Sequence, residues 1–103
     1  MPDGERWVDI PVGLPEEGGT VVFEIDGRAL LLCNAGGTPY GVTDECPHVR
    51  ASLEGGVIRG TTLECPLHGG RFDLRDGAPV KLPIRRAAAC HAVRRAGERW
   101  QVA

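Results

Sequence analysis

Two short motifs, each with a thiol and an imidazole, constrain this chain more than any other feature. The first is Cys46-Pro47-His48, the second is Cys65-Pro66-Leu67-His68, and sixteen residues separate them. Two thiolates and two imidazoles suit either one tetrahedral Zn²⁺ or an iron–sulfur cluster. Whatever fold the chain adopts must therefore bring two loops that are distant in sequence together around a metal.

The spacing within the first motif favours two metal ions over one. Zinc ligands are commonly separated by two to four residues, and the C-x-H spacing is tighter than that. In an extended segment, residues i and i+2 face the same way with Cα atoms ~6.6 Å apart. Cys46 and His48 could then reach two adjacent metal ions, as in a cluster whose irons take two cysteines and two histidines respectively. A zinc site stays open at this point.

Length and composition predict a single all-β domain. A chain of 103 residues is typical of one domain, here residues 1–103. Apolar residues make up 42% and charged residues 25%, as in ordinary globular proteins. Fifteen glycines and eight prolines imply many turns, and no segment has sustained helical periodicity.

Both ends of the chain are rich in β-strand patterns. Thr20–Ile25 and residues 28–33 are apolar and β-branched, and the Asp26-Gly27 dipeptide between them predicts a hairpin. Residues 89–95 are expected to pair with residues 98–102 in the same way.

Between these ends, residues 44–83 are dense in Gly, Pro, Cys and His and predict a loop-built cluster subdomain on a β scaffold. Shorter strands are expected at residues 6–10, 39–43, 57–59, 62–64 and 71–74. Pro79 and Pro83 are expected to lie in a loop or a turn.

The charges and the apolar runs exclude some function classes. The net charge of −2 does not suggest binding to nucleic acid. Residues 1–80 carry six basic and thirteen acidic side chains, a balance of −7, and residues 81–103 carry a balance of +5. This split indicates either two solvated faces or a dipole that orients the protein toward a charged redox partner.

No apolar run approaches the ~18–20 residues that span a bilayer, and no signal peptide is recognisable, so a cytoplasmic protein without a membrane segment is expected. In that compartment, four cysteines indicate metal ligation or free thiols rather than disulfides. Cys33 and Cys90 lie beside apolar residues and are expected to be buried structural thiols, and His91 to be a surface or packed histidine.

The two motifs, together with the Arg71-Phe72-Asp73-Leu74-Arg75-Asp76-Gly77 stretch that follows them, resemble the cluster-binding region of Rieske ferredoxins. The resemblance covers nearly the whole chain. It implies a Rieske-type antiparallel β-sandwich or barrel with a two-loop cluster-binding subdomain, and one Rieske-type [2Fe-2S] cluster. The implied ligands are Cys46 and Cys65 on the buried iron, and His48 and His68 on the outer iron.

The same resemblance implies an electron carrier that is not itself an enzyme. Such ferredoxins take electrons from a flavin-dependent NAD(P)H ferredoxin reductase. They pass them to a terminal oxygenase, commonly a ring-hydroxylating dioxygenase of aromatic hydrocarbon catabolism. Four protein ligands leave no open position for a substrate, whereas catalytic metal sites keep one. Transient partners and a monomer are expected.

Two alternatives to the ferredoxin assignment remain. The small Rieske-like subunit of a nitrite reductase is one, although those subunits usually lack the ligands. A structural zinc module that binds other proteins is the second.

Departures from the high-potential members of the resembled family predict a low reduction potential. Those proteins bridge their two loops with a disulfide, and the matching positions here are Ala51 and Leu67. They also place a Ser and a Tyr hydroxyl near the cluster, and the corresponding positions here are Gly70 and Phe72. Lost donors at sulfur lower the potential, so we expect a value near the low end of the roughly −150 to +300 mV Rieske range.

Overall fold

The computed structural model describes residues 6–103, which contain eleven short β-strands and no helix. All strand pairs are antiparallel, as the all-β prediction requires. In chain order the strands are β1 (Val8–Asp9), β2 (Thr20–Ile25), β3 (Arg28–Ala35), β4 (Thr38–Thr43), β5 (Val57–Arg59), β6 (Thr62–Glu64), β7 (Arg71–Asp73), β8 (Pro79–Lys81), β9 (Cys90–His91), β10 (Val93–Ala96) and β11 (Arg99–Val102). No part of the described chain is a helix with the length and hydropathy to cross a bilayer.

The strands form three sheets. A three-stranded sheet has the order β1-β11-β10, a four-stranded sheet has the order β2-β3-β4-β9, and a second four-stranded sheet has the order β5-β6-β7-β8. We call these the terminal sheet, the central sheet and the cluster sheet. The cluster sheet is built from residues 57–81. The first motif lies in the loop that connects β4 to β5, and the second lies in the loop that connects β6 to β7.

Strand β3 is buried on both faces and connects the two cores. Side chains alternate between the faces of a strand. Leu30 and Leu32 therefore lie in a core with Phe23, while Leu31 and Cys33 lie in the other core. That second core contains both motif cysteines and buried side chains from the cluster sheet and the segments that flank it. Its members include Cys46, Leu53, Leu63, Cys65, Phe72, Leu74, Ile84 and Ala88. The loops are thus packed onto one face of the central sheet.

The predicted N-terminal hairpin is confirmed. Thr20–Ile25 pairs with β3 through the two-residue turn at Asp26 and Gly27. Their φ angles of 51° and 80° are both positive, as a type I′ turn requires. Strand β3 extends to Ala35, two residues further than the sequence indicated.

The prediction of one strand over residues 89–95 is wrong. Cys90–His91 pairs with β4 in the central sheet, and after Ala92 the chain changes sheets and pairs with β11. Gly41 permits this crossing, because a Cβ there would lie 2.9 Å from the Val93 Cγ2 atom. The distal part of the pairing, Val93–Ala96 with β11, agrees with the prediction.

The structure also differs from the prediction of a loop or turn at Pro79, because this segment is a strand. Pro79–Lys81 forms β8, which pairs with β7 through an irregular register. Proline lacks an amide donor, and it is tolerated here because β8 lies at the edge of its sheet.

A glycine contact joins the cluster sheet to the segment that precedes β9. The Gly77 amide donates to the Asp73 carbonyl oxygen, and the Gly77 carbonyl oxygen accepts from the Ala88 amide. Gly77 has a φ of +82°, and a Cβ at this position would overlap the Ala88 carbonyl oxygen. Only glycine fits both the backbone angle and the contact.

We therefore expect Gly77→Ala to lower the free energy of unfolding by about 3 kcal/mol or more, from left-handed strain and steric overlap together. Gly18→Ala is the matched control, because Gly18 has a φ of +84° with no atom within 4 Å of its Cβ position. That variant should lose only about 1–2 kcal/mol. Urea unfolding followed by circular dichroism measures both. Equal losses in the two variants would show that the Ala88 contact contributes nothing.

Candidate metal centre

The first motif lies in a closed loop between β4 and β5. The Cys46 amide donates to the Ala51 carbonyl oxygen over 2.7 Å, and the Arg50 amide donates back to the Cys46 carbonyl oxygen over 2.8 Å. Both backbone groups of the cysteine are thereby satisfied inside its own loop. These bonds fix the backbone from which the thiol projects.

The second motif, between β6 and β7, repeats this arrangement. The Cys65 amide donates to the Gly70 carbonyl oxygen over 2.7 Å, and the Gly69 amide donates to the Cys65 carbonyl oxygen over 3.2 Å. In each loop the cysteine amide bonds five residues ahead and its carbonyl accepts from four residues ahead. The two loops are thus two copies of one local structure.

The residue that closes each loop adopts a left-handed backbone conformation. Gly69 has a φ of 73°, and Arg50 at the equivalent position has a φ of 59°. Glycine adopts this conformation freely, whereas another L-residue is destabilised by about 1–2 kcal/mol. Arg50 is therefore a strained residue in the first loop.

The two loops bring the four motif side chains together in two layers. The Cys46 and Cys65 side chains are buried, at 0% and 2% exposure. His48 and His68 are exposed, with ring centroids 5.1 Å apart and ring planes at 85°. A layer of thiols thus lies beneath a layer of imidazoles at the surface.

This donor arrangement fits a two-iron cluster. Burial raises the pKa of the Cys65 thiol, and a hydrogen bond to Cys46 raises it further, while the backbone amides of Leu67 and His68 act in the opposite direction. A thiol with a raised pKa ionises readily only when a metal takes it as the thiolate. Within residues 6–103, no three or more His, Cys, Asp or Glu side chains converge on a position for a single ion. A pair of thiols and a pair of imidazoles match the two unlike irons of a Rieske cluster.

Comparisons with known proteins agree with this chemistry. Residues 8–92 match the Rieske [2Fe-2S] domain. The chain belongs to the Rieske [2Fe-2S] domain family. It binds a Rieske-type [2Fe-2S] cluster, as the resemblance of its motifs implied.

Three similar proteins match over nearly their whole length. The ferredoxin component of the naphthalene 1,2-dioxygenase system of Pseudomonas aeruginosa is 33% identical over 100 residues, which cover 95% of each chain. The ferredoxin of carbazole 1,9a-dioxygenase from Nocardioides aromaticivorans IC177 has a TM-score of 0.86 at 32% identity, covering 96% of this chain and 98% of that one. A ferredoxin–oxygenase complex of carbazole 1,9a-dioxygenase matches with a TM-score of 0.85 at 27% identity, covering 94% of this chain and 92% of the matched chain.

Asp44 holds the first Rieske loop at its base, a role that the sequence did not reveal. Its Oδ1 atom accepts from the Leu53 amide and its Oδ2 atom from the Ser52 hydroxyl, both over 2.8 Å. Aspartates commonly accept from backbone amides in turns, but only two or so residues ahead. The nine-residue separation of Asp44 from Leu53 hides this contact in the sequence.

Gly70 and Phe72, which replace the Ser and Tyr of high-potential Rieske proteins, are tightly packed. A Cβ on Gly70 would lie 2.8 Å from the Ile84 Cγ1 atom and 3.1 Å from the Pro83 Cδ atom. Phe72 is fully buried in the core. A serine at position 70 would therefore have to displace the segment at Pro83 and Ile84. The low reduction potential stays a prediction.

The remaining cysteines and His91 are structural. Cys33 is fully buried, and burial raises its pKa to about 12, with smaller contributions from Cys90 and Asp44. Cys90 is half-buried rather than buried as expected, and its Sγ atom lies 3.6 Å from the Leu74 carbonyl oxygen. His91 is hydrogen-bonded to the Thr43 hydroxyl over 2.8 Å.

We expect Asp44→Ala to weaken the first loop, because the Leu53 amide, whose residue is fully buried, loses its acceptor. An unsatisfied buried amide costs about 1–3 kcal/mol, so thermal bleaching of the cluster absorption should accelerate markedly. Ser52→Ala is the control, since it removes only the more exposed bond to the same carboxylate. Indistinguishable bleaching rates in the two variants would contradict the role of Asp44.

Proposed function

We propose that Cys46 and Cys65 ligate the inner iron of the cluster and that His48 and His68 ligate the outer iron. The support is the geometry of the two loops, in which the thiols are buried and adjacent while the imidazoles are exposed and 5.1 Å apart. The backbone bonds at each cysteine hold this set in place from two sides. We further propose that residues 1–103 act as one domain with a cluster subdomain at about residues 44–83. Residues 1–5 of the chain lie outside the described part.

We propose that the protein carries single electrons to a terminal oxygenase, as its relatives named as dioxygenase ferredoxin components do. The exposed imidazole pair carries this proposal, because it provides a path from the buried cysteine layer to the surface. A Rieske cluster supplies one-electron redox chemistry when bound. The protein residues bury one side of it and expose the other, where a partner can approach.

The relatives also support the other parts of the assignment. They are electron-transfer components rather than catalytic oxygenases, and four protein ligands leave no site for a substrate. A terminal oxygenase of aromatic compounds is the acceptor we infer, because such systems recur among the relatives. We infer a flavin-dependent ferredoxin reductase as the donor, a monomer as the working form and the cytoplasm as the location.

Variants of the ligands test the cluster assignment. We expect Cys65→Ala and His68→Ala to lose the red-brown colour, the iron and the Rieske-type EPR signal of the reduced protein. Both should also be less stable, because metal affinity contributes to folding. Cys90→Ala and His91→Gln are the matched controls, since they change the same residue types outside the proposed site and should keep the iron.

Either of two results would contradict the ligand assignment. One is native colour in a ligand variant, and the other is loss of iron in both controls. A colourless native protein with stoichiometric zinc would instead favour the structural zinc module. The nitrite reductase alternative is disfavoured because all four ligand positions are present.

A direct transfer experiment tests the acceptor. The protein is reduced anaerobically and mixed in a stopped-flow instrument with the terminal oxygenases of the naphthalene and carbazole dioxygenase systems. We expect the cluster absorption of this protein to return to its oxidised form as the oxygenase is reduced. His68→Ala protein lacks the cluster and should transfer nothing. A reduced, EPR-active protein that passes electrons to neither oxygenase would contradict the assignment to an aromatic dioxygenase system.

A further inference from the structure

Three arginines lie beside the proposed electron exit. A shallow groove of about 270 Å³ runs along the first Rieske loop. It is lined by Pro47, His48, Arg50, Pro83, Arg85 and Arg86. An exposed imidazole and three guanidinium groups therefore share one surface, although Arg50 and Arg85 are 35 residues apart in sequence.

Within residues 6–103, none of these three arginines forms an ion pair. The ion pairs in that range are Arg59 with Glu64, Arg75 with Asp73 and Arg99 with Asp9. Glu45 lines the neighbouring groove with Arg50 and Arg86, but it forms no ion pair within 4 Å with either. The groove therefore retains a local positive charge in a chain whose net charge is −2.

The backbone at Arg50 gives an independent reason to assign a role to this side chain. Arg50 closes the first loop with a φ of 59°, where the second loop has Gly69 at the same position. An arginine in this conformation costs about 1–2 kcal/mol that glycine avoids. Strain of this kind marks sites where a side chain is needed for function.

Apolar side chains lie next to the histidines on the same tip. Val49 follows His48 and is 38% exposed, and Leu67 precedes His68 and is 58% exposed. Leu82, next to groove residue Pro83, is 62% exposed. An apolar patch with a charged rim is the usual anatomy of a protein interface.

We propose that this surface, which we call the arginine edge (Arg50, Arg85 and Arg86), docks the carboxylate-bearing face of a redox-partner protein against the exposed histidines. The proposal rests on the electron-carrier function and adds the chemistry of the partner. Charge complementarity selects the occupant, because unpaired guanidinium groups bind carboxylates by charge-assisted, often bidentate hydrogen bonds. Val49 and Leu67 would provide the short apolar contact that a transient complex needs.

The arginine edge also revises the charge pattern of the sequence. The basic residues of the C-terminal segment do not form one face. Arg85 and Arg86 join Arg50 at the groove, whereas Arg94 and Arg95 stack on Trp7 and Trp100 in the terminal sheet region. Only part of the basic segment therefore lies beside the exposed histidines.

Oxidation of the reduced protein by small ions of opposite charge tests the proposal. Hexacyanoferrate(III) takes one electron from the cluster and becomes hexacyanoferrate(II), and tris(phenanthroline)cobalt(III) takes one electron as a cation. The edge variant is Arg50→Gly, Arg85→Gln, Arg86→Gln, in which glycine suits the left-handed backbone. The control is Arg94→Gln, Arg95→Gln, Arg99→Gln, which makes the same change in net charge on the terminal sheet.

At low ionic strength we expect hexacyanoferrate(III) to oxidise the edge variant roughly tenfold more slowly than the control, and the cobalt complex to oxidise it at least as fast. The difference should shrink above about 0.1 M salt, where the screening length is about 10 Å. Loss of positive charge lowers the potential and favours oxidation, so a slower reaction cannot arise from driving force. Unchanged visible spectra confirm that both variants hold the cluster.

Poly-L-aspartate provides the carboxylate-bearing surface. It should slow the oxidation of the wild type and the control by hexacyanoferrate(III), and leave the edge variant almost unaffected. Equal oxidation rates in the edge variant and the control would refute the proposal. Slower oxidation of the edge variant by hexacyanoferrate(III), but no inhibition of the wild type by poly-L-aspartate, would refute it as well. These oxidation experiments contain no oxygenase, so their outcome does not decide whether the protein is an electron carrier for an oxygenase. Conversely, a failed transfer to an oxygenase would not change the oxidation rates measured with the small ions.

Discussion

Two buried thiols, each held by hydrogen bonds within its own loop, are the constraint on which the rest of the structure depends. The amide and carbonyl of Cys46 and of Cys65 are both satisfied locally, and the surrounding core side chains bury both sulfurs. Burial raises the pKa of the Cys65 thiol, so its thiolate form is disfavoured unless a metal neutralises it. The cluster and the loops are therefore expected to stabilise each other, because metal affinity contributes to folding.

The central sheet and the cluster sheet pack closely against the two motif loops. Strand β3 is buried on both faces, so the face with Leu31 and Cys33 can form the floor under the motif cysteines. Gly77 brings the cluster sheet into direct contact with Ala88, and Asp44 connects the end of β4 to the far side of the first loop. Each of these contacts depends on a small or a hydrogen-bonding residue rather than on buried apolar area. The precision of the site is therefore set by packing geometry more than by hydrophobic burial.

The sequence predicted the local features and missed the long-range ones. The Asp26-Gly27 turn, Val57–Arg59 and Thr62–Glu64 were predicted at their observed positions, because turn chemistry and β-branching act over a few residues. The sheet change at Ala92 and the edge strand at Pro79–Lys81 depend on which other strands lie nearby, which no local pattern records. The same reason hides Asp44 and the arginine edge. The motif spacing indicated which donors are present, but the groove beside them exists only after folding.

The two loops share one backbone structure but carry different residues at equivalent positions. The second loop has glycine at its left-handed position and presents Leu67, whereas the first has strained Arg50 and presents charge. The second loop thus adds the apolar Leu67 beside the histidines, and the first loop adds the apolar Val49 and the positive charge of Arg50. Fields speed encounter more than they strengthen the complex, and small apolar contacts release quickly. An electron carrier must bind and release its redox partner in each cycle. It needs this combination, since a tighter interface would slow its departure.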